Sequence, residues 1–95
     1  MGIQYNWTDK RADESDITFP YKDWQIIEPA IESLKSRTGI YIDPYADTRL
    51  SNDHAVLLRK LIAENVNNPS PEITKLCGML AESGQTGRWL LFLGD

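Results

Sequence analysis

Hydrophobic and polar residues alternate at the start of the chain. Ile3, Tyr5 and Trp7 are separated by single polar residues, and this period of two predicts a half-buried strand. The next stretch, DKRADESD, is too polar to pack against a core and predicts a loop. The ITFPY segment after it favours a short extended backbone, because Pro20 pushes Phe19 toward β or polyproline geometry.

A first helix is predicted from apolar residues that recur at spacings of three and four. These residues are Trp24, Ile27, Ile31 and Leu34. Pro29 fits best in a first helical turn, because its ring has no N–H and clashes with the carbonyl four residues back. We therefore expect a regular helix from about residue 25 or 26 to residue 37, ended by Gly39. A kinked helix that begins earlier is the alternative.

Two more helices follow the same spacing. The second begins after a cap at Ser51 or Asn52 and fades in the NVNNPSP segment. Its apolar positions are Leu57, Leu58, Leu61 and Ile62. The third has Ser70 as its cap and Pro71 at its first position, and we expect Gly84 to end it. Its inner face carries Ile73, Leu76, Cys77 and Leu80.

Two short apolar runs predict further strands. IYI, at residues 40–42, is β-branched and aromatic. RWLLFL, at residues 88–93, is apolar on both faces, which predicts a central strand covered on both sides by the domain, or on one side by a partner. The predicted order is strand, helix, strand, helix, helix, strand. We expect one domain, residues 1–95, with an α+β or small α/β fold: three helices packed on a short mixed three-stranded sheet whose C-terminal strand is central.

Composition narrows the class of protein. The chain has 95 residues, a formal net charge of −4 and a pI of about 4.9. Its ten basic residues are scattered, whereas phosphate backbones require clustered Lys and Arg, so we expect no nucleic-acid partner. Cys77 is the only cysteine, which excludes a disulfide within the chain and thiolate-rich zinc sites. No apolar run approaches ~20 residues and no secretion signal is seen, so we expect a cytoplasmic protein without membrane contact.

Reactive side chains gather in IYIDPYADTRLSNDHA, residues 40–55. Asp43 and Asp47 lack the alternating ligands, the glycine and the closing glutamate of a calcium loop. His54 has leucines four residues away on either side, so no zinc-binding partner shares its helix face. We expect no metal and no cofactor. The favoured interpretation is a strand end, an Asp-Pro turn and a capped helix start, and catalysis by His54 is the less favoured one.

Acidic residues in three neighbouring segments predict a docking surface. If the loop before the first helix, that helix and the loop after it converge, their carboxylates form a negative face that attracts a basic protein. The predicted partner-binding residues are Asp13, Glu14, Asp16, Tyr21, Glu28, Glu32, Asp43, Tyr45, Asp47 and Arg49. Trp7, which lies beside a polar stretch, is also predicted to be at the surface, whereas Trp24, Trp89 and Phe92 are assigned to the core.

The small size, the acidity and the segments IDPYADTRLS and RWLLFLGD resemble small bacterial immunity proteins, which act in contact-dependent growth inhibition and related toxin-delivery systems. These families share no motif that transfers a role to a particular residue. The resemblance implies a non-enzymatic protein whose partner is a toxin domain, often a basic nuclease. Its implied function is a tight one-to-one complex that occludes or distorts the active site of the toxin.

Two alternatives from other functional classes stay open. One is a small enzyme or ligand-binding module that uses Asp43, Asp47, Arg49 and His54. The other is an oligomeric structural subunit, in which the apolar last strand pairs across a homodimer.

Overall fold

The computed structural model describes residues 2–94. Its elements in chain order are β1 (Gly2–Trp7), β2 (Ile17–Pro20), α1 (Tyr21–Thr38), β3 (Thr48–Leu50), α2 (Asn52–Asn65), α3 (Pro71–Thr86) and β4 (Leu90–Leu93). The fold is therefore α+β with three helices, as the sequence predicts. The sheet has four strands and not three, because the ITFPY segment contributes the full strand β2.

The four strands lie in the order β2-β1-β4-β3, and every neighbouring pair is antiparallel. The prediction of a mixed sheet is therefore wrong. Tyr5 pairs with Ile17 on one side and with Phe92 on the other, and Phe92 also pairs with Thr48. The C-terminal strand β4 lies in the interior of the sheet, between β1 and the edge strand β3.

The predicted strand at residues 40–42 is wrong, and the strand lies eight residues later. Ile42 is fully buried and Ile40 packs against the core. These two side chains anchor a loop, and the segment forms no strand. Residues 48–50 form β3 because Thr48 and Leu50 face Phe92 and Leu90 of β4. An edge strand therefore lies between the Asp-Pro turn and the helix cap, where the sequence predicted no strand.

Helix α1 begins at Tyr21, which corresponds to the earlier start that the sequence left as the alternative. Pro29 therefore lies inside the helix and deprives the Gln25 carbonyl of its usual donor. Both residues are exposed, so water can donate to that carbonyl instead. The predicted end is confirmed: Gly39 takes the left-handed conformation, with φ 80°, and its N–H donates to the Lys35 carbonyl at 2.8 Å.

Helix α3 confirms its predicted start and corrects its predicted end. The Ser70 hydroxyl accepts a hydrogen bond from the Ile73 N–H at 3.2 Å, which is the expected cap. Gly84 lies inside the helix, which continues to Thr86 and ends at Gly87, with φ 77°. A Cβ at Gly84 would overlap Val56 of α2, so this glycine permits close helix packing and does not stop the helix.

The core lies between the helices and one face of the sheet. Helix α2 packs against both α1 and α3, and α1 packs on β1 and β2. The sheet contributes alternate residues, among them Ile3, Tyr5, Trp7, Phe19, Leu50, Leu90 and Phe92. Trp24 and Phe92 are buried as predicted. The other tryptophan assignments are wrong: Trp7 shares the inward side of Tyr5 and is 5% exposed, whereas Trp89 has the opposite parity from Leu90 and is 46% exposed.

The outward side of the sheet carries the residues between those core positions. On β4 these are Leu91 and Leu93, both only partly buried, and Gln4, Thr18 and Arg49 on the other strands are exposed. The described part of the chain therefore covers one face of β4. The prediction that the domain covers both faces of this strand is wrong, and its alternative, a cover supplied by a partner, stays a prediction.

Candidate functional site

Carboxylates and tyrosines meet where α1 faces the loop that follows it. Partial burial raises the pKa of Tyr41, and the charges of Glu32, Asp43 and Glu28 raise it further, because these carboxylates oppose a phenolate. Tyr45 lies in the same group. We name these five residues (Glu28, Glu32, Tyr41, Asp43 and Tyr45) the acidic cluster.

Helix α1 fixes the positions of the two glutamates of the acidic cluster and contacts its Tyr41. Glu28 and Glu32 lie one turn apart on α1, so their side chains project from the same side of the helix. Lys35, one turn from Ile31 and near the helix end, places its Nζ 4.8 Å from the centre of the Tyr41 ring, a cation–π contact. This contact holds the Tyr41 ring beside the two glutamates.

Backbone hydrogen bonds shape the loop part of the cluster. The Asp43 carboxylate accepts the Tyr45 N–H at 2.8 Å, and the Asp43 carbonyl accepts the Ala46 N–H at 3.3 Å. This is the Asx-type turn expected of an Asp-Pro segment. The turn directs Tyr45 outward, where 67% of it is exposed. An exposed tyrosine on an ordered turn is a suitable anchor for a protein partner.

The loop is also fixed to the end of β4. The Asp47 carboxylate accepts the Gly94 N–H at 3.2 Å. Gly94 lies so close to the backbone of Tyr45 and Ala46 that a Cβ there would overlap it. Asp47 therefore has a structural role at this end of the sheet, in addition to any partner contact.

The polar loop at residues 9–16 begins at the other end of the sheet and returns beside Asn6 at Asp16, where β2 follows. This loop follows Trp7, and the Thr8 N–H donates to the Trp89 carbonyl at 2.9 Å, before β4 begins. The acidic cluster lies beside Gly94, after β4 ends. The length of β4, about 14 Å, separates the two ends.

Arg88 holds the polar loop in place. Its Nε donates to the Asp9 carboxylate at 2.9 Å, and its Nη2 donates to the Glu14 carboxylate at 3.1 Å. Its guanidinium also lies 4.5 Å from the centre of the Trp7 ring. We name these four residues (Trp7, Asp9, Glu14 and Arg88) the arginine clasp.

Hydrogen bonds stabilise the ionised form of two loop carboxyls. The pKa of Glu14 is lowered mainly by the hydrogen bond from the Arg11 N–H and then by Arg88. The pKa of Asp16 is lowered mainly by Lys10, at 2.9 Å, and then by the Asn6 amide, at 3.2 Å. These charges are therefore satisfied within the chain, which weakens their outward field.

The structure divides the predicted partner-binding residues into separate places. Glu28, Glu32, Asp43 and Tyr45 come together in the acidic cluster, and Asp47 lies beside it. Asp13, Glu14 and Asp16 lie on the polar loop, Tyr21 is exposed at the start of α1, and Arg49 is exposed on β3. A single negative face was predicted on the condition that three segments converge. Two of them do, α1 and the loop after it, whereas the polar loop before α1 does not join them.

The candidate catalytic residue His54 is partly exposed in the first turn of α2. Ser51 precedes it as the N-cap residue, although its side chain makes no capping hydrogen bond. Among residues 2–94, no group of three or more His, Cys, Asp or Glu side chains is arranged to hold a metal ion. Also within this range, no helix has the length and apolar character needed to cross a membrane.

A groove of about 280 Å³ lies between α2 and α3. Its lining includes Arg59, Ile62, Val66, Thr74 and Cys77. Burial raises the pKa of the Cys77 thiol, and the nearby Arg59 only partly opposes this effect. The thiol is therefore protonated at neutral pH, the form that is a poor nucleophile.

Two features of the structure were not predicted from the sequence. Trp89, Leu91 and Leu93 form one outward row, a pattern that strict alternation along RWLLFL could have indicated. Asp23 is 1% exposed and accepts a hydrogen bond from the Ser70 hydroxyl at 2.8 Å, although the two residues are far apart in sequence. No sequence pattern indicates that pair.

Comparison of the chain with protein-family models, with curated proteins and with solved structures found no match.

Proposed function

We propose that the protein is a non-enzymatic binding protein of the toxin-immunity type, which acts in the cytoplasm and neutralises a basic toxin domain of contact-dependent growth inhibition. The observation that carries this proposal is the acidic cluster, where Glu28, Glu32 and Asp43 are close enough to the partly exposed Tyr41 to raise its pKa, beside the exposed Tyr45. Carboxylates attract a cationic partner over long distances, and tyrosines supply contact area at low entropic cost.

The acidic cluster supports the proposal because it is ordered and largely uncompensated. Within residues 2–94, none of its three carboxylates forms an ion pair, and the nearby Lys35 is engaged with the Tyr41 ring. In contrast, Glu14 and Asp16 are each paired with a basic side chain of the same chain. A basic partner would therefore gain more from contact with the cluster than from contact with the polar loop.

The proposed complex has a division of roles. The carboxylates raise the association rate and bring the partner into register, and Tyr45 and Tyr41 fill pockets on the partner at the centre of the contact. A contact of standard size would bury about 800 Å² of each partner, which exceeds the area of the cluster. The exposed Tyr21 and the neighbouring surface of α1 would extend it.

The test compares two variants with the same change in net charge. The partner is first obtained by affinity capture from the native host and then purified. The cluster variant is Glu28→Lys, Glu32→Lys and Asp43→Asn, which keeps a side chain that can accept the Tyr45 N–H. The control variant is Glu64→Lys, Glu82→Lys and Asp53→Asn, at exposed positions on α2 and α3.

We expect the cluster variant to associate at least about tenfold more slowly than the control at low salt. The difference should shrink at about 0.5 M salt, where charges are screened within a few ångströms. Equal association rates for the two variants would reject the role of the acidic cluster. A captured partner whose toxicity is unchanged by the protein would reject the immunity function itself.

A further inference from the structure

The groove between α2 and α3 is lined by one row of side chains from each helix. The row on α2 and its C-cap recurs at spacings of three and four residues, so one side of the helix supplies it: Arg59, Ile62, Ala63 and Val66. Thr74 and Cys77 of α3 lie across from that row, and Pro69 contributes from the connection between the helices. The lining side chains are therefore apolar except for one hydroxyl and one guanidinium.

The direction of the two helices gives the groove two different ends. Gly84 near the end of α3 packs on Val56 near the start of α2, so the helices are antiparallel. Arg59 marks one end of the groove, and Pro69, where the chain passes from α2 to α3, marks the other. The distance along α2 from Arg59 to Val66 is about 10 Å.

The volume of the groove limits the size of a ligand. It is about 280 Å³, the space that about nine water molecules occupy in the liquid. A carbon or oxygen atom of an organic molecule needs a similar share. The groove therefore suits a ligand of about ten non-hydrogen atoms, which is smaller than the ligands of typical small-molecule sites.

Arg59 is the one cation among the described residues that line the groove. It is exposed and forms no ion pair within residues 2–94. Burial raises the pKa of the Cys77 thiol, and the charge of Arg59 partly opposes this effect, so the guanidinium lies near the lining of the groove. No carboxylate of the described residues lines the groove to neutralise that charge.

An unpaired guanidinium beside an apolar groove favours an anion with an apolar body. The planar fork of a guanidinium matches a carboxylate with two parallel hydrogen bonds. A phosphate monoester carries a charge of about −1.5 to −2 at neutral pH and is typically bound by a cluster of arginines. Among the described residues the groove offers only Arg59, so a single carboxylate is the better match.

We propose that this groove binds a free, small organic monocarboxylate with an unbranched apolar body, of the size of a fatty acid with about eight carbons. The carboxylate pairs with Arg59, and the body lies along Ile62 and Val66 toward Pro69, against Cys77 of α3. Sites between packed helices are commonly of this kind, with an apolar lining and a few polar groups that fix the orientation of the ligand. The groove contains no residue of the acidic cluster.

Two probes with the same apolar chain and opposite charges test the role of Arg59. They are octanoate and octylammonium. The protein carries −4, which by itself favours the cation, so a preference for octanoate is a specific sign of the guanidinium. Because the ligand is small and the groove is open to solvent, we expect octanoate to bind with a dissociation constant of about 1 mM.

The titration follows the amide NMR signals of residues 59–77 in the full chain at neutral pH. Octylammonium should bind at these positions at least about fivefold more weakly than octanoate. Arg59→Gln should weaken octanoate binding about fivefold and remove the preference for the anion. The matched control is Lys60→Gln, at the exposed neighbouring position outside the lining, and it should stay within about twofold of the wild type.

Three outcomes of the titration overturn the proposal. The first is octanoate that leaves these signals unchanged up to about 10 mM, where a site of the expected affinity is nearly full. The second is equal binding of the two probes by the wild type. The third is an Arg59→Gln protein that binds octanoate as well as Lys60→Gln does.

The cysteine and a filled groove test the location of the ligand. Cys77 is the only cysteine and lines the groove, so the rate of its alkylation by iodoacetamide reports occupancy. Octanoate at about 5 mM should slow this reaction at least about threefold by mass action, whereas octylammonium should leave it nearly unchanged. Ala63→Phe, at an exposed position of the lining, places a ring in the groove and should weaken octanoate binding at least about fivefold.

An alkylation rate that octanoate does not change would overturn the assigned site, even if Ala63→Phe did not fold. A folded Ala63→Phe protein that binds octanoate like the wild type would overturn it as well. None of these measurements involves the toxin partner, so this inference and the proposed function can fail separately.

Discussion

Gly78 and Gly84 lie in the same helix and differ in what surrounds them. A Cβ at Gly78 would meet nothing within 4 Å, whereas a Cβ at Gly84 would overlap the Val56 side chain. Gly78 therefore carries only the entropic cost of a glycine inside a helix, about 1 kcal/mol relative to alanine. At Gly84 the same cost accompanies close packing of α2 on α3.

We expect the two alanine substitutions to change the free energy of unfolding in opposite directions. Gly78→Ala should stabilise the protein by up to about 1 kcal/mol. Gly84→Ala should destabilise it by about 1 kcal/mol, because overpacking exceeds the gain in helix propensity and valine is stiff at χ1. Urea unfolding measures both. Adding Val56→Ala should recover the Gly84→Ala loss, and a double variant no more stable than Gly84→Ala would contradict the assigned contact.

Tyr5 is fully buried, and its hydroxyl has no hydrogen-bond partner within the described structure. Its ring stacks on Phe92 at 5.8 Å and meets Phe19 edge-on at 6.3 Å. Burial, with a smaller contribution from Cys77, raises the pKa of Tyr5 to about 12. The ring thus contributes packing while the hydroxyl contributes a desolvation cost.

We expect Tyr5→Phe to be neutral or to stabilise the protein by about 1 kcal/mol at pH 7. The raised pKa adds a dependence on pH: above the ordinary tyrosine pKa of about 10, the unfolded chain loses this proton while the folded chain keeps it. Wild-type stability should therefore fall relative to Tyr5→Phe between about pH 10 and 12. Guanidinium unfolding across that range measures the difference, and parallel curves would contradict the buried hydroxyl.

At the scale of elements, the N-cap residues of α3 and α2 differ in how many hydrogen bonds their side chains make. Ser70 caps α3 and also donates to the Asp23 carboxylate at 2.8 Å, in the first turn of α1. The second Asp23 oxygen has no partner within the described structure. The Ser70 hydroxyl therefore accepts a hydrogen bond from the first turn of α3 and donates one to a single oxygen of the buried Asp23 carboxylate. Ser51 caps α2 without any such side-chain bond.

We expect Ser70→Ala to lower the free energy of unfolding by about 2 to 3 kcal/mol, because it removes a cap and leaves the buried Asp23 carboxylate without a donor. The matched variant Ser51→Ala should change it by less than about 0.5 kcal/mol. Thermal and urea unfolding of the two proteins provide the comparison. Equal effects would indicate that Asp23 has another donor in solution.

The helices could be predicted from the sequence because their signals are local. The apolar spacing, the Ser70 cap and the Gly39 end all lie within the segments they define. The three-residue strand β3 could not be predicted in this way. Its residues form a strand because β4 lies beside them, and β4 comes about 40 residues later in the chain. The same dependence on a distant contact explains Gly84, whose role is set by Val56.

At the scale of the whole molecule, the arginine clasp joins the two halves of the chain. Arg88, just before β4, binds Asp9 and Glu14 of the loop after β1. The lowered pKa of Glu14 means that this stabilisation is present at neutral pH and is lost as the pH falls through the folded-state pKa.

We expect Arg88→Met to loosen the polar loop without unfolding the domain. The variant keeps an unbranched apolar side chain beside Trp7 but removes both ion pairs. Trypsin should cleave after Lys10 and Arg11 several-fold faster than in the wild type, because local opening exposes the loop to proteases. Arg37→Met is the control and should leave that rate unchanged. Cleavage at the wild-type rate in Arg88→Met would contradict the clasp.

The acidic cluster could be anticipated from the sequence only in part. The spacing of Glu28 and Glu32 is local and visible, and the turn at Asp43 is a known pattern. That the polar loop begins at the opposite end of the sheet follows from the pairing of Trp7 with Leu90 and of Thr48 with Phe92. Such pairings between distant segments leave no local pattern in the sequence. The single negative face that was predicted is therefore two separate places in the structure, the acidic cluster and the polar loop.

The pairing of β1 with β4 has a consequence for synthesis in the cell. Tyr5 finds its neighbour Phe92 only after 87 further residues have been made (92 − 5 = 87). At ribosomal speeds of about 5 to 20 residues per second, β1 and the hairpin it forms with β2 wait roughly 5 to 15 s for their central partner. During that interval the hairpin exposes one unpaired edge and the apolar side chains of its inward face. Nascent chains of this protein should therefore need protection by a chaperone during that interval.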